Sequence, residues 1–350
     1  MADGAEDVLT KRAGDTPALF LSHLWRYYFL SHFFKLVFRI FYMVKLVTSS
    51  VVRGSQQGES HGGVYLIDFD NGLVEQKLDW DTVNIDWRGR GWDRGLRGIC
   101  FDDNKIYIAA SDELFAFTPT FELIGSWRNP YLKHCHEITV FNRKIFLTST
   151  GFDSILSFDL DQQVFDWGMT IQNRQFKFKG KRFDPQADDG PMMFNKLHIN
   201  NVFCNENGMY LSGLNSGGML HYNGREINMS VELPPGTHNA RPFRDGVLFN
   251  DTNDDVLRYT GRGEGEEDRA MAVPKYLESE MTHLDKRDEV MARPGFARGL
   301  CVLSNSVVAG GSSPSTVTVY DLQKNEQIAT ANISNDIRNG IHGLEMWPFD

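Results

Sequence analysis

The sequence predicts an all-β fold, a six-bladed β-propeller closed by strands from both ends of the chain and preceded by an apolar helix. A unit of roughly 40 residues with four short strand-like runs recurs along the chain, which is typical of propeller blades. Apolar residues alternate within these runs, and turn dipeptides such as Asn-Gly and Asp-Gly separate them. The last unit is incomplete, and its missing runs occur before the first complete unit, which predicts the closure.

Each copy of the unit opens on a marker residue, a His or an Arg that precedes a short apolar run. The six markers are Arg97, His136, His198, His238, Arg298 and His342. A second β-rich run follows the marker at a nearly constant distance and ends on a small or polar residue, as at 106–111 and 145–150. A third run follows in every copy, and in two copies a fourth run ends on Trp127 or Trp167. These runs predict the four strands of each blade.

The last copy has room for one strand only, between His342 and Asp350. The three runs that it lacks resemble earlier stretches, at 44–49, 63–69 and 73–80. Strands contributed by both ends of the chain pair edges that would otherwise be open to aggregation. We therefore predict a six-bladed propeller over residues 44–350.

The segment before the propeller is apolar and aromatic, and we predict a flexible N-terminus at 1–16 and a helix at 17–43. Arg26, Lys35 and Arg39 lie inside this helix, and each opposes insertion into a bilayer core by about 2.5 to 3.5 kcal/mol. We expect an interfacial helix that makes the membrane surface a partner. The alternative is a helix packed on the propeller. Because no secretory cleavage site follows, we expect the cytoplasm or the cytoplasmic face of a membrane rather than secretion.

Composition limits the partners that the protein can have. The chain has 36 Lys and Arg against 46 Asp and Glu, a net charge of −10. Nucleic-acid binding relies on clustered Lys and Arg, so we expect no nucleic-acid partner and interpret the basic stretch 88–94 as a rim feature. The four cysteines show no CxxC spacing, and Cys100 and Cys301 occupy matching positions in matching runs. This favours core packing over disulfides, in a reducing compartment.

The markers point to chemistry because the first strand of each blade is the innermost one, so six markers are expected at one mouth of the channel. Four imidazoles would form a nitrogen-rich site suited to zinc, iron or copper, whereas calcium or magnesium would require carboxylates and carbonyls. We therefore predict a transition metal on His136, His198, His238 and His342, of which three ligands with an open position suffice for catalysis. The alternative is a wet channel whose polar lining only satisfies backbone groups.

Polar residues near the markers are candidates for the surroundings of this metal. Those expected to orient the imidazoles are Glu137, Asn200, Asn239, Asn250 and Asp251. Glu137 is in addition a candidate catalytic residue, together with Arg97 and Arg298.

Two steps between markers are about 20 residues longer than the others, through extra residues at 168–197 and 261–297. Both insertions precede a first strand, so we expect them at the mouth where the markers lie. Long loops over a rigid scaffold are common binding elements or lids. The alternative is disordered decoration.

The marker layout resembles six-bladed propeller enzymes of the broad NHL and lactonase-like type. It is most similar in kind to peptidyl-α-hydroxyglycine amidating lyase, a family whose resemblance implies histidine-bound zinc at the channel with arginines beside it. A more distant similarity is to carotenoid cleavage oxygenases, which hold iron through four histidines and have seven blades. By these resemblances His136, His198, His238 and His342 are possible metal ligands. Arg97 and Arg298 are possible anchors for an anionic or carbonyl oxygen.

These observations predict a metal-dependent propeller enzyme, a lyase or an oxygenase, that acts on a small molecule. Arginine suits the anchoring role because its guanidinium makes two parallel hydrogen bonds to an oxyanion. The apolar segment 17–43 makes a lipophilic substrate reachable. The alternative is a non-catalytic, membrane-tethered propeller that binds a protein or small-molecule partner through its loop-rich face, because fold alone does not determine function.

Overall fold

The computed structural model describes residues 45–56, 58–81, 95–174, 177–265, 267–287 and 292–349. The predictions for 1–16, 17–43 and the basic stretch 88–94 lie outside these residues. The described residues form six antiparallel sheets, which confirms the six-bladed propeller. They include no helix that is both long and apolar enough to cross a membrane.

The strands are numbered β1 to β25 in chain order, and each blade is given from its inner to its outer strand. Blade 1 consists of β4 (Ile99–Asp102), β5 (Lys105–Ala109), β6 (Glu113–Phe117) and β7 (Leu123–Arg128). Blade 2 consists of β8 (Ile138–Phe141), β9 (Lys144–Ser149), β10 (Ser154–Asp159), β11 (Val164–Arg174) and β12 (Lys177–Phe183). Blade 3 consists of β13 (Ile199–Asn205), β14 (Gly208–Gly213), β15 (Gly218–Tyr222) and β16 (Ile227–Glu232).

The remaining blades follow the same plan. Blade 4 consists of β17 (Thr237–Phe243), β18 (Gly246–Asp251), β19 (Val256–Gly261) and β20 (Arg269–Ala272). Blade 5 consists of β21 (Arg298–Val302), β22 (Val307–Ser312), β23 (Thr316–Asp321) and β24 (Glu326–Asn332). Blade 6 consists of β25 (Asn339–Met346), β1 (Lys45–Val52), β2 (Gly63–Asp68) and β3 (Leu73–Asp79).

Blade 6 joins the two ends of the repeat as predicted. Its inner strand β25 pairs antiparallel with β1, and Leu46 faces Met346 in this ladder. Thr48 Oγ1 also donates a hydrogen bond of 2.7 Å to the carbonyl of Gly343. The ladder pairs one edge of β25 with β1, so closure of the ring stabilises the first and last segments of the repeat together.

The apolar core lies between neighbouring blades. The cluster between blades 6 and 1, for example, contains Val47, Val64, Trp80, Ile106 and Phe115, all buried. The rings of Trp80 and Phe115 meet edge to face with centroids 5.0 Å apart. Replacement of a buried Leu or Ile in such a core by Ala destabilises a protein by about 2 to 5 kcal/mol. The blades are therefore a rigid frame for the residues at the channel.

The cysteines and the tryptophans clarify the sequence interpretation. All four cysteines are free and buried, as expected for core packing. Trp127 lies at the end of β7, next to its last residue, but Trp167 lies inside β11. The prediction that Trp167 ends its strand is wrong, because β11 continues to Arg174 to pair with an extra strand.

That extra strand, β12, comes from the first insertion and forms the outer edge of blade 2. It pairs with β11 from Gly168 opposite Phe183 to Arg174 opposite Lys177. Phe178 and Phe183 pack on the neighbouring apolar clusters, and the Phe183 ring occupies the space where a side chain at position 168 would begin. Half of the described part of this insertion is thus sheet at the rim. The other half, residues 184–197, leads back to the inner strand.

The second insertion also contains a strand, since β20 is the outer strand of blade 4. Beyond β20 the chain forms two short 3-10 turns, Glu278–Glu280 and Leu284–Lys286. Between them Thr282 makes an isolated bridge with Asp336, in the segment that precedes β25. Residues 273–287 therefore connect blade 4 to the segment before the inner strand of blade 6.

Candidate active site at the channel mouth

The structure brings four of the six marker residues into contact with one another. The rings of His136 and His198 lie 5.4 Å apart, and those of His136 and His342 lie 5.9 Å apart. Arg298 Nη1 lies 2.7 Å from His342 Nε2. Five markers are buried, with between 2% and 7% of their surface exposed, whereas His198 is partly exposed. His198 is therefore the most solvent-accessible of the six markers.

A local break in the sheet directs several of these side chains. The pairing register shifts just after His198, His238 and Arg298, in each case between the inner strand and the second strand of the blade. Such β-bulges insert one extra residue and re-aim the side chain beside it. His198 itself has a positive φ of 53°, an uncommon conformation for a non-glycine residue. The irregular backbone at the start of these inner strands thus sets the direction of the marker side chain.

In blades 2 and 4 the imidazoles present a lone pair. His136 Nδ1 lies 2.7 Å from the carbonyl of His134 and 3.0 Å from Thr150 Oγ1. Because a carbonyl only accepts, Nδ1 carries the proton and Nε2 has the lone pair. His238 Nδ1 likewise lies 3.1 Å from the carbonyl of Gly236. Its Nε2 is buried without a hydrogen-bond partner in the described part of the chain.

In blades 5 and 1 the markers present donors instead, and the imidazole of blade 6 accepts from one of them. Arg298 Nη1 donates to His342 Nε2 at 2.7 Å, which uses the lone pair of that imidazole. Arg97 Nη1 donates to the carbonyl of Cys135 at 3.1 Å. The guanidinium of Arg298 also stacks on the buried ring of Phe296, 4.8 Å from its centroid. His342 is therefore engaged with an arginine rather than available in the way that His238 is.

Burial sets the charge state of the imidazoles. Burial, followed by the charge of the nearby arginines, lowers the pKa of His136, His238 and His342 well below the usual range. The same causes lower the pKa of His198 to about 4. All four are consequently neutral near pH 7, the form in which imidazole binds a metal.

Glu137 lies inside the channel, next to the marker His136. Burial raises the pKa of Glu137 to about 8, although a hydrogen bond from Asn239 and the charge of Arg241 act in the opposite direction. Asn239 Nδ2 donates to Glu137 Oε1 at 2.8 Å. Since Glu137 belongs to blade 2 and Asn239 to blade 4, this bond connects blades that are not neighbours. The carboxyl is protonated near neutral pH and is a possible proton donor.

The asparagines and Asp251 do not hold the imidazoles, contrary to the sequence prediction. Asn250 Nδ2 donates to Asn239 Oδ1 at 3.0 Å, and Asn200 Nδ2 donates to the carbonyl of Thr237 at 3.2 Å. Asp251 pairs with Arg258 at 2.9 Å. Backbone carbonyls and Thr150 orient the imidazoles instead. The polar residues around the markers thus hydrogen-bond one strand or blade to another. The orientation of the His136 and His238 rings is set by backbone carbonyls and Thr150.

Three residues at the site were missed from the sequence. Arg53 follows β1 and stacks on Phe296 at 5.3 Å, and Phe296 lies two residues before a marker. Neither belongs to the repeated pattern, so no signal singled them out. Thr150 did give a signal, because it is the polar residue that ends the second run after His136.

The predicted metal site is not assembled as such. Among the residues that the structure describes, no three His, Cys, Asp or Glu side chains lie close enough together to share a metal ion. The donor chemistry nevertheless fits one, because His136 and His238 are neutral, their Nε2 lone pairs accept no hydrogen bond from a described group, and His198 lies beside His136. The four-histidine set stays a prediction.

Comparison with known proteins shows the fold. No family model and no curated protein matches the sequence. A chain of the nidogen/laminin complex aligns with a TM-score of 0.54 at 9% identity, over 86% of this chain and 98% of that one. A protein of unknown function from Bacteroides caccae aligns with a TM-score of 0.52 at 10% identity, over 87% of this chain and 99% of that one. Both similarities show the propeller fold, and neither indicates an activity.

Virginiamycin B lyase from Staphylococcus aureus is also similar in structure, with a TM-score of 0.41 at 10% identity over 69% of this chain and 71% of that one. A likeness of this strength says nothing about activity. The resemblance to amidating lyases and to carotenoid oxygenases rests on the marker layout alone. It therefore stays a prediction, and the chemistry of the site has to be argued from its own residues.

Proposed function

We propose that this propeller is a metal-dependent enzyme whose active site is the channel mouth. A transition metal would be held by His136, His198 and His238, on three consecutive blades. Arg298 and Arg97, on the opposite side of the ring, would bind an oxygen of a small-molecule substrate. The observation that supports this most strongly is His238, whose Nδ1 is tied to a carbonyl and whose Nε2 is buried without a partner in the described residues.

Two further features favour a metal on this side of the ring. Histidine ligands of metals usually donate their other ring N–H to a carbonyl or carboxylate, which fixes the tautomer. His136 and His238 both make this bond to a backbone carbonyl. Neutral nitrogen donors without carboxylates suit zinc, iron or copper rather than calcium or magnesium. His342 is left out of the set because its Nε2 accepts from Arg298.

The chain's own groups supply the remaining chemistry. When bound, the metal would polarise a substrate oxygen or activate water. Arg298 and Arg97 orient the substrate by donating N–H groups to its oxygens. Glu137 holds a proton on its carboxyl near neutral pH because burial raises its pKa to about 8, so it can deliver that proton to a leaving group and take one back. Asn239 fixes the Glu137 carboxyl by its 2.8 Å hydrogen bond.

Elemental analysis of the purified full chain tests this proposal. We expect near-stoichiometric zinc, iron or copper in the wild type and a loss of that metal in His198→Ala/His238→Ala. His221→Ala is the matched control, because His221 lies on β15 and hydrogen-bonds the carbonyl of Asn207, with no role at the channel. Substoichiometric metal in the wild type, or the same metal content in the double variant, would overturn the proposal.

One observation favours a second function, binding to a membrane or other apolar surface without catalysis. Met192, Met193 and Phe194 are exposed by 89%, 59% and 57% in the segment that leads to His198. Three consecutive exposed apolar residues commonly mark an interaction site. Sedimentation with anionic vesicles would test it, with the triple Ser variant of these residues and a chain truncated before residue 44 as comparisons. Equal sedimentation of all three proteins would remove both this function and the membrane role predicted for 17–43.

A further inference from the structure

Phe296 is surrounded by three guanidinium groups. Arg298 lies 4.8 Å, Arg53 lies 5.3 Å and Arg293 lies 5.4 Å from the centroid of its ring. His238 meets the same ring at 5.7 Å. Cations are attracted to aromatic faces, but each such contact contributes only about 0.5 to 2 kcal/mol. The ring therefore does not by itself compensate for burying several positive charges.

Two of these arginines differ in how their charge is balanced. Arg293 forms an ion pair with Asp255, which also binds Lys275 at 2.8 Å, and it donates to the carbonyl of Thr252. Arg298 forms no ion pair with any carboxylate that the structure describes. Its only hydrogen bond to a described group goes to a neutral imidazole, His342. The same aromatic ring is thus contacted by one arginine with a counter-ion and by one without.

The lack of a described counter-ion for Arg298 matters because this side chain is deeply buried. Only 7% of Arg298 is exposed, and its Nε is buried with no hydrogen-bond partner in the described residues. A buried charge without a counter-charge is strongly destabilising. Glu137, the acidic group whose charge acts on Arg298, is hydrogen-bonded to Asn239 and forms no ion pair with Arg298 among the described residues. The fold therefore maintains a positive group at the channel mouth and does not neutralise it with a described side chain.

We infer that the counter-ion of Arg298 is a carboxylate group of the substrate, bound at the channel mouth beside Phe296. This inference rests on the proposed function for the location of the substrate, and it specifies the chemical class that the site accepts. A carboxylate has two coplanar oxygens that match the guanidinium fork. Its single charge is less costly to bury than the double charge of a phosphate monoester.

Acetate binding to the metal-stripped full chain tests the inference, measured by calorimetry and by thermal unfolding at constant ionic strength set with chloride. We expect saturable acetate binding to the wild type and a rise in its unfolding temperature. Arg298→Met should weaken acetate binding at least tenfold. Arg293→Met, which removes an arginine from the same ring but one that has its own counter-ion, should leave the affinity within about twofold. Arg298→Lys keeps the charge without the fork and should bind several-fold more weakly than the wild type.

The possible outcomes separate this inference from the proposed function. Equal acetate affinity of the wild type and Arg298→Met, or tighter binding of sulfate or inorganic phosphate than of acetate, would overturn the carboxylate. If Arg298→Met does not fold, the ratio between the wild type and Arg298→Lys decides in the same way. Metal bound without an Arg298-dependent acetate site would contradict the inference alone. Acetate bound through Arg298 in a chain that never holds metal would contradict the proposed function alone.

Discussion

The ring of markers has two unlike halves on one scaffold. The half on blades 2, 3 and 4 consists of His136, His198 and His238, two of which direct Nε2 lone pairs away from their backbone partners. The half on blades 5, 6 and 1 consists of Arg298, His342 and Arg97, where guanidinium N–H groups dominate and the one imidazole accepts from an arginine. The same position in the same repeat thus gives acceptors on one side and donors on the other. The scaffold sets the place, and the side chains set the chemistry.

The residue after each marker differs between the halves as well. In the arginine half it is always glycine, at Gly98, Gly299 and Gly343. A side chain at position 343 would begin 2.4 Å from the carbonyl oxygen of Arg97, and one at position 98 would begin 2.6 Å from the backbone nitrogen of Ile138. Neighbouring inner strands therefore approach more closely here than a Cβ allows. In the histidine half the corresponding residues are Glu137, Ile199 and Asn239.

The largest expected effect comes from a substitution that places an arginine in the histidine half of the ring. His238→Arg replaces a lone pair with a cation next to Phe296, where burial and the charge of Arg298 already oppose protonation of His238. Mutation of a group that only supports a metal ligand lowers metal affinity by about 10- to 100-fold. Because His238 is a ligand itself, we expect the metal affinity of His238→Arg to fall by more than about 100-fold. Competition with a coloured zinc chelator measures this. His221→Arg, at a half-buried, hydrogen-bonded position on β15, should bind zinc like the wild type.

The bond that joins blades 2 and 4 should have the next largest effect. Asn239→Ala removes the 2.8 Å hydrogen bond to Glu137 and the acceptor for the backbone N–H of Gly299. Leaving these buried groups without partners should lower the free energy of unfolding by about 1 to 3 kcal/mol. Urea denaturation measures the change. Asn239 has a φ of 53°, so Asn239→Gly should separate the loss of hydrogen bonds from backbone strain, and an unchanged stability in both variants would contradict the bond's role.

A smaller effect is expected from the hydroxyl behind His136. Thr150→Val keeps the shape of the side chain and removes the oxygen 3.0 Å from His136 Nδ1. The carbonyl of His134 remains, so we expect only about a tenfold loss of zinc affinity. Thr170→Val, whose hydroxyl accepts from Ser154 in the outer part of blade 2, is the control. Equal zinc affinity of Thr150→Val and the wild type would show that Nδ1 is held by the carbonyl alone.

The smallest expected effect concerns Glu345, which lies on the inner strand β25 three residues after the marker His342. Burial raises the pKa of Glu345 to about 7 from an ordinary 4.5, whereas burial lowers the pKa of an imidazole at the mouth such as His136. A raised carboxyl pKa means that the native state keeps a proton that the unfolded state loses. The stability from Glu345 is therefore present below pH 4.5 and is lost as pH rises towards 7.

Glu345→Gln should remove this loss. Between pH 4.5 and 7 the wild type should lose about 1 kcal/mol relative to the variant, a figure that allows for partial exposure of the side chain to water. Thermal unfolding of the metal-stripped proteins across this range measures it. Parallel curves for the two proteins would contradict the raised pKa.

The repeat allowed the fold and the ring to be predicted, because period and register are properties of the sequence. Blade count and closure by both ends follow from where the runs recur, and so does the approach of His136, His198, His342 and Arg298 to one another. The rest depends on contacts between distant segments. Arg53 and Phe296 belong to no repeat, and the engagement of His342 by Arg298 depends on the spacing of two blades. Strand β12 lies where the sequence predicts a long loop, because its Lys-rich sequence does not indicate that its Phe residues pack against the blades.

The central claim is that the histidine half of the ring binds a metal and the arginine half does not. Anomalous diffraction from crystals of the full chain grown with zinc tests it most directly. We predict one peak at about 2.0 to 2.1 Å from Nε2 of His136, His198 and His238, with His342 still bonded to Arg298. A channel mouth without a peak, or a peak on His342, would contradict the claim.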